Sequence, residues 1–147
     1  EVVDILYAYR KSLYRYDFGR ATDLFAEDRL RGLDPREFLD RGGVCVDAAR
    51  LIGTVLENNS ISSRTALVQP LDGSAHCFVV ARDSDGSFYA VDGFSRVRPI
   101  AAADSFSSAA ALYMRGFSKL VTMDLDGGVD AVLVSPDIEA LDAVLGC

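Results

Sequence analysis

The 147-residue sequence predicts an α+β fold in which helices precede a mostly antiparallel sheet. Apolar residues recur at spacings of three and four over residues 2–16, as they do in amphipathic helices. After residue 60, short runs rich in β-branched and aromatic residues alternate with Asp- and Gly-containing turns, which is typical of hairpins. Half of the residues are hydrophobic and a quarter are charged, so we expect one compact domain spanning residues 1–147.

Several helices are predicted before the first strand. After residues 2–16 comes a shorter helix over 21–28. A third begins at Asp34-Pro35, where an N-cap acid precedes a proline at the first helical position, and it ends near Arg41. Gly42 and Gly43 then break the chain, and a fourth helix is predicted from Val44 to about residue 57.

The fourth helix has two distinct faces. Its polar stripe predicts that Asp47 points to solvent; the stripe consists of Asp47, Arg50, Thr54 and Glu57. The opposite face carries Cys45, Ala49, Ile52 and Leu56. Cys45 is therefore expected in the first turn, facing whatever packs on this helix.

Three strands are predicted over residues 63–68, 76–82 and 88–92. A three-residue loop, 84–86, joins the last two, with Gly86 suited to a left-handed conformation. This loop would place Phe78 opposite Asp92. His76 and Asp92 then become diagonal neighbours on one face, while Cys77 points away from His76.

The C-terminal third predicts a loop from residue 99 that passes into a helix, with Asp104 as its N-cap. Phe106 and Tyr113 on that helix are expected to be core contacts. A hairpin follows, with strands over 120–125 and 129–134, and a last helix is predicted over 137–145.

Cys45, His76 and Asp92 occur in the order that a thiol nucleophile, its base and an orienting acid require. His76 is the only histidine of the chain, so no other imidazole competes for the role of base. A helix N-terminus favours a thiolate, and a nearby imidazolium strengthens this effect. The amide of Cys45 is a natural oxyanion donor.

The net charge of −7 argues against nucleic-acid or anionic-membrane partners, which need clustered Lys and Arg. No apolar run approaches a membrane span, and no charged-then-apolar leader follows Glu1. Three cysteines without paired spacing predict neither a zinc site nor a disulfide framework. We therefore expect no cofactor and a reducing location, either cytoplasmic or the cytosol of a target cell.

Three segments resemble the transglutaminase-like superfamily. The run 43–51 around Cys45 looks like its active-site helix, 75–80 around His76 resembles its His-containing strand, and 89–92 resembles its following Val-Asp strand. The resemblance covers about residues 33–97. Cys77 and Phe78 depart from the residues usual after the histidine, and no glutamine precedes Cys45.

The resemblance implies a papain-like core and a Cys45-His76-Asp92 triad that transfers acyl groups from peptide or glutamine amides of a protein substrate. Proteolysis, deamidation and transamidation all remain open, as does the oligomeric state. The runs 41–47 and 91–94 also resemble arylamine N-acetyltransferases, which gives a second enzyme hypothesis. A third hypothesis is a binding module that has lost catalysis, because the residues after His76 are unusual.

Overall fold

The computed structural model describes residues 44–71, 74–93 and 96–134, together with Arg36, which is helical. Within these residues we name the helices α1 (Cys45–Asn58) and α2 (Phe106–Tyr113) and the strands β1 (Ser62–Pro70), β2 (His76–Arg82), β3 (Phe88–Val91), β4 (Val97–Ile100), β5 (Phe117–Met123) and β6 (Val129–Val134). The helices predicted over 2–16, 21–28, 34–41 and 137–145 lie outside the described residues, Arg36 apart.

The six described strands form one antiparallel sheet in the order β4-β3-β2-β1-β5-β6. Helix α1 packs against β1 and β2, and α2 packs across strands β1 to β6. Helices thus pack on an antiparallel sheet, which confirms the predicted α+β class. None of the helices in the described ranges combines the length and apolar character needed to cross a membrane.

The alternation of side chains along β2 shows that α1 and α2 cover opposite faces of the sheet. Cys77, Val79 and Ala81 belong to the apolar cluster on the α1 side. Phe78 and Val80 belong to the cluster on the α2 side. Because successive strand residues point to opposite faces, β2 is buried on both sides and forms the centre of the structure.

The predicted inner face of α1 is confirmed. Ala49, Ile52 and Leu56 are buried in the cluster on the α1 side, and Cys45 packs against it. Full burial of a side chain such as Ile52 or Leu56 contributes about 1.5–3 kcal/mol relative to exposure. The helix that carries Cys45 is therefore fixed to the sheet by its own apolar residues.

The prediction that Asp47 points to solvent is wrong. Its side chain is fully buried, and Oδ2 accepts a hydrogen bond of 2.8 Å from the backbone N–H of Val44. An acid at the third helical position can satisfy the N-cap amide in this way, as one half of a capping box. This local hydrogen bond outweighs the polar periodicity and fixes the chain immediately before Cys45.

The predicted strands are confirmed with shifted ends. Observed β1 is Ser62–Pro70 where 63–68 was predicted, β2 matches its prediction, and β3 ends one residue before Asp92. The late hairpin is also present, with β5 beginning at Phe117. Gly86 has a φ of +87°, which confirms the predicted left-handed position in the β2–β3 turn.

Two predictions about residues 94–105 are wrong. The predicted loop contains the strand β4, whose Pro99 is tolerated because β4 is an edge of the described sheet. The N-cap of α2 is Ser105, whose hydroxyl accepts from the amide of Ser108, rather than Asp104. Asp104 precedes the cap and is exposed.

Candidate active site

The β2–β3 hairpin brings His76 and Asp92 together. Val79 pairs with Val91 in the ladder, and the amide of Asp83 donates to the carbonyl of Ser87 over 2.8 Å. Continuing this register places Asp92 opposite Phe78, as predicted. His76 Nε2 and Asp92 Oδ1 are 2.8 Å apart, so the predicted contact between the two side chains is confirmed.

Cys45 approaches His76 from the other layer of the fold. The His76 ring lies on the α2 side of the sheet, stacked beside Phe78 with centroids 6.2 Å apart, whereas α1 covers the opposite face. His76 is the first residue of β2 and Cys45 the first residue of α1. Their side chains therefore meet at the end of the sheet, where the Cys45 thiol is close enough to raise the pKa of His76.

The environment of His76 strongly favours the charged imidazolium. The hydrogen bond to Asp92, followed by that to Cys45, raises the pKa of His76 from 6.5 to about 10, although burial opposes the charge. Since Nε2 faces Asp92, Nδ1 is the ring nitrogen left for the thiol. His76 is thus protonated at neutral pH and presents a proton toward Cys45.

Asp92 is held as an ionised acceptor by two donors. Oδ1 faces His76, and Oδ2 accepts a hydrogen bond of 2.8 Å from the hydroxyl of Tyr113. Burial by itself raises the pKa of Asp92, but the bonds from His76 and Tyr113 and the charges of His76 and Arg96 lower it below the usual 3.8. The carboxylate therefore stays charged across the neutral range.

Tyr113 is the residue at this site that the sequence did not identify. It was predicted to be a core contact, and its ring does pack on Phe78, with centroids 4.8 Å apart. Its hydroxyl nevertheless reaches Asp92 from α2, 21 residues further along the chain. No local motif links these two residues, so only the packing of α2 on the sheet reveals the contact. Phe106, in contrast, is a core contact as predicted.

The two described cysteines are both free thiols but have different surroundings. Cys45 is partly exposed, whereas Cys77 is 2% exposed and points toward α1, away from His76 as predicted. Burial, followed by electrostatic interactions with Cys45, Asp47 and Asp92, raises the pKa of the Cys77 thiol well above its usual value. Cys77 is therefore an inert protonated thiol next to the site.

Within residues 44–71, 74–93 and 96–134, no group of three or more His, Cys, Asp or Glu side chains is arranged to hold a metal ion. The chain matches no protein-family model, no curated protein and no solved structure. The resemblance to the transglutaminase-like superfamily therefore depends on the sequence segments alone, and the chemistry has to be argued from the geometry of the site.

Proposed function

We propose that this protein is a cysteine-dependent amide hydrolase or acyltransferase that acts on peptide or glutamine amides of a protein substrate. Cys45 is the nucleophile, His76 the proton donor and acceptor, and Asp92 the residue that orients His76. The observation that carries the proposal is the His76–Asp92 contact of 2.8 Å, together with a Cys45 thiol close enough to raise the pKa of His76. A papain-like core belongs to the same proposal.

In the first half-reaction, Cys45 attacks as a thiolate, the form in which a thiol is nucleophilic. The sulfur bonds to the amide carbon, and the negative charge moves to the carbonyl oxygen. The Cys45 N–H lies at the first position of α1, where a helix supplies no acceptor, and it is the proposed donor to this oxyanion. His76 then protonates the departing amine or ammonia, the carbon–nitrogen bond breaks, and a thioester on Cys45 remains.

In the second half-reaction, His76 works as a base. Having given up its proton, it is neutral, and acylation has removed the thiolate that helped to raise its pKa. It can now accept a proton from water or from an amine that attacks the thioester. Water completes hydrolysis and an amine completes transamidation, and in both cases Cys45 leaves as the thiolate.

The direct test compares the protein with its Cys45→Ala and His76→Ala variants on mixtures of peptides and intact proteins. Loss of either residue should reduce turnover by several orders of magnitude, as loss of a triad member does in other enzymes. Mass spectrometry of the products identifies the reaction: chain cleavage marks proteolysis, conversion of glutamine to glutamate marks deamidation, and addition of a supplied amine marks transamidation. Undiminished turnover in either variant would reject the proposal.

Thiol labelling separates an enzyme from a binding module that has lost catalysis. Well below about pH 8, iodoacetamide should modify Cys45 faster than Cys77 and Cys147, and the His76→Ala variant should lose this advantage. Cys77 is a matched control, since it follows His76 on β2 but is buried and protonated. Equal and slow labelling of all three cysteines would favour the binding module.

The arylamine N-acetyltransferase hypothesis uses the same three residues and is tested with the same variants. An aromatic amine as acceptor, supplied with an acyl thioester donor, would be acylated if that hypothesis holds.

The reactive thiol of the proposed enzyme requires a reducing surrounding such as the cytoplasm or the cytosol of a target cell.

A further inference from the structure

The second oxygen of the Asp92 carboxylate has a protein donor of its own. Tyr113 donates its hydroxyl proton to Oδ2 over 2.8 Å, while Oδ1 is 2.8 Å from His76 Nε2. Building on the proposed function, we infer that Tyr113 is a positioning residue: it fixes the rotation of the Asp92 carboxylate and thereby the orientation of the His76 imidazole toward Cys45. The site is then a chain of four residues rather than three.

The Asp92 carboxylate needs an external constraint because of its place in the strand. Asp92 follows the last residue of β3, and its backbone amide donates to the carbonyl of Arg96 over 2.8 Å, which fixes the main chain. The carboxylate can still rotate about its own terminal bond, a torsion with a broad energy profile. A bond to Oδ2 at a fixed place removes this freedom and leaves Oδ1 directed at His76.

Tyr113 can fill this role only as a donor, and its surroundings keep it one. Burial, followed by the bond to Asp92, raises the pKa of Tyr113 to about 12. The phenol therefore remains protonated at every pH at which the site would work. Asp92 in turn must accept on both oxygens, which excludes a role for it as a proton donor.

The Tyr113 ring is fixed by the core. It is the last residue of α2 and packs on Phe78, with centroids 4.8 Å apart and planes inclined by 56°. Phe78 is 1% exposed and also stacks beside His76, at 6.2 Å. One buried ring thus contacts both the imidazole and the phenol, so the two groups that bind Asp92 share a rigid support. This gives a structural reason for Phe78, one of the residues by which the sequence departs from the family pattern.

The test is the Tyr113→Phe variant, which removes one oxygen and keeps the ring that packs on Phe78. The matched control is Tyr89→Phe. Tyr89 is a partly buried tyrosine on β3 whose hydroxyl makes no hydrogen bond to any residue in the described ranges, and its ring packs on the α1 side. Both variants lose a phenolic hydroxyl, but only one of these hydroxyls binds Asp92.

The first measurement is NMR of the His76 ring, which is unambiguous because the chain has a single histidine. In the wild-type protein the proton on Nε2 is held by Asp92 and should give a downfield signal that exchanges slowly with water. Tyr113→Phe should broaden this signal through faster exchange, and Tyr89→Phe should leave it unchanged. A signal that is the same in Tyr113→Phe as in the wild-type protein would overturn the inference.

The second measurement is kinetic. Tyr113→Phe removes a hydrogen bond to a charged group and should therefore slow acylation of Cys45 by roughly tenfold or more. The loss should fall on kcat rather than on KM, because Tyr113 orients His76 and does not bind substrate. An equal loss in Tyr89→Phe would mean a general structural effect and would count against the inference.

A third measurement does not depend on the folding of Tyr113→Phe or on activity. In the wild-type protein labelled at the tyrosine ring carbon that bears oxygen, one tyrosine should titrate near 12. Asp92→Asn should lower that value toward the usual 10, because the bond to the charged carboxylate is lost. An unchanged value would refute the pairing. If the NMR results agree with the inference but Cys45 shows no turnover, the positioning stands and the proposed function fails.

Discussion

Replacement of Asp92 by Asn should sharply lower the pKa of His76. The wild-type shift from 6.5 to about 10 has the Asp92 hydrogen bond as its largest cause. It corresponds to about 5 kcal/mol in favour of the imidazolium. Because 35% of the His76 side chain is exposed, solvent screening reduces the stabilisation to about 2 kcal/mol. At about 1.4 kcal/mol per pKa unit, removal of the opposite charge should therefore lower the pKa of His76 by about 1.5 units.

The assay is the pH titration of the single histidine by NMR. Wild-type His76 should remain protonated from about pH 5 to about pH 8, where a typical histidine titrates. Asp92→Asn should bring the midpoint down, and Cys45→Ala should lower it less, because the thiol is the second-largest cause. Asp104→Asn is the matched control, since it makes the same chemical change at an exposed position. A wild-type midpoint near 6.5, or no change in Asp92→Asn, would refute the reasoning.

Three further predictions concern stability. The pKa of His76 is raised in the folded state, so its contribution to the free energy of unfolding is complete below about pH 6.5 and is lost as the pH rises toward 10. Urea unfolding should show this decline in the wild-type protein and not in His76→Ala. Asp47→Ala leaves the buried Val44 amide without its acceptor and should lower the free energy of unfolding by about 1–3 kcal/mol, with slower labelling of Cys45. Unfolding at the wild-type free energy would contradict the capping role of Asp47. Ser105→Ala should lower the free energy of unfolding by about 1 kcal/mol, whereas Asp104→Ala should change it by less than about 0.5 kcal/mol. A larger loss in Asp104→Ala than in Ser105→Ala would mean that Asp104 is the N-cap.

The charge of Asp92 explains why His76 favours its protonated form. The imidazole is partly buried, and burial alone would favour its neutral form. The charge and hydrogen bond of Asp92 reverse that preference. Tyr113 in turn limits the cost of holding a partly buried carboxylate, because each oxygen then has a donor. The variants of Asp92 and Tyr113 measure how much each of these two interactions contributes.

Several features of the fold follow from short-range patterns in the sequence. Runs rich in β-branched and aromatic residues predict β2 and β3, and a three-residue loop that ends at a glycine predicts the register that brings His76 to Asp92. The inner face of α1 follows in the same way from the spacing of its apolar residues. At Asp47 the polar periodicity predicts the wrong orientation, because Val44 at the N-cap gives no capping-box signature in the sequence.

The contacts between the layers of the fold do not follow from any local pattern. Cys45 lies on a helix that covers one face of the sheet, and His76 lies on the other face, yet their side chains meet at the end of the sheet. Tyr113 reaches Asp92 from a helix that begins after a further strand. No sequence period relates residues on separate layers, because their distance depends on how the buried side chains between them pack. The chain therefore encodes the pair His76–Asp92 locally, while its two outer neighbours, Cys45 and Tyr113, join it only through the packing of α1 and α2.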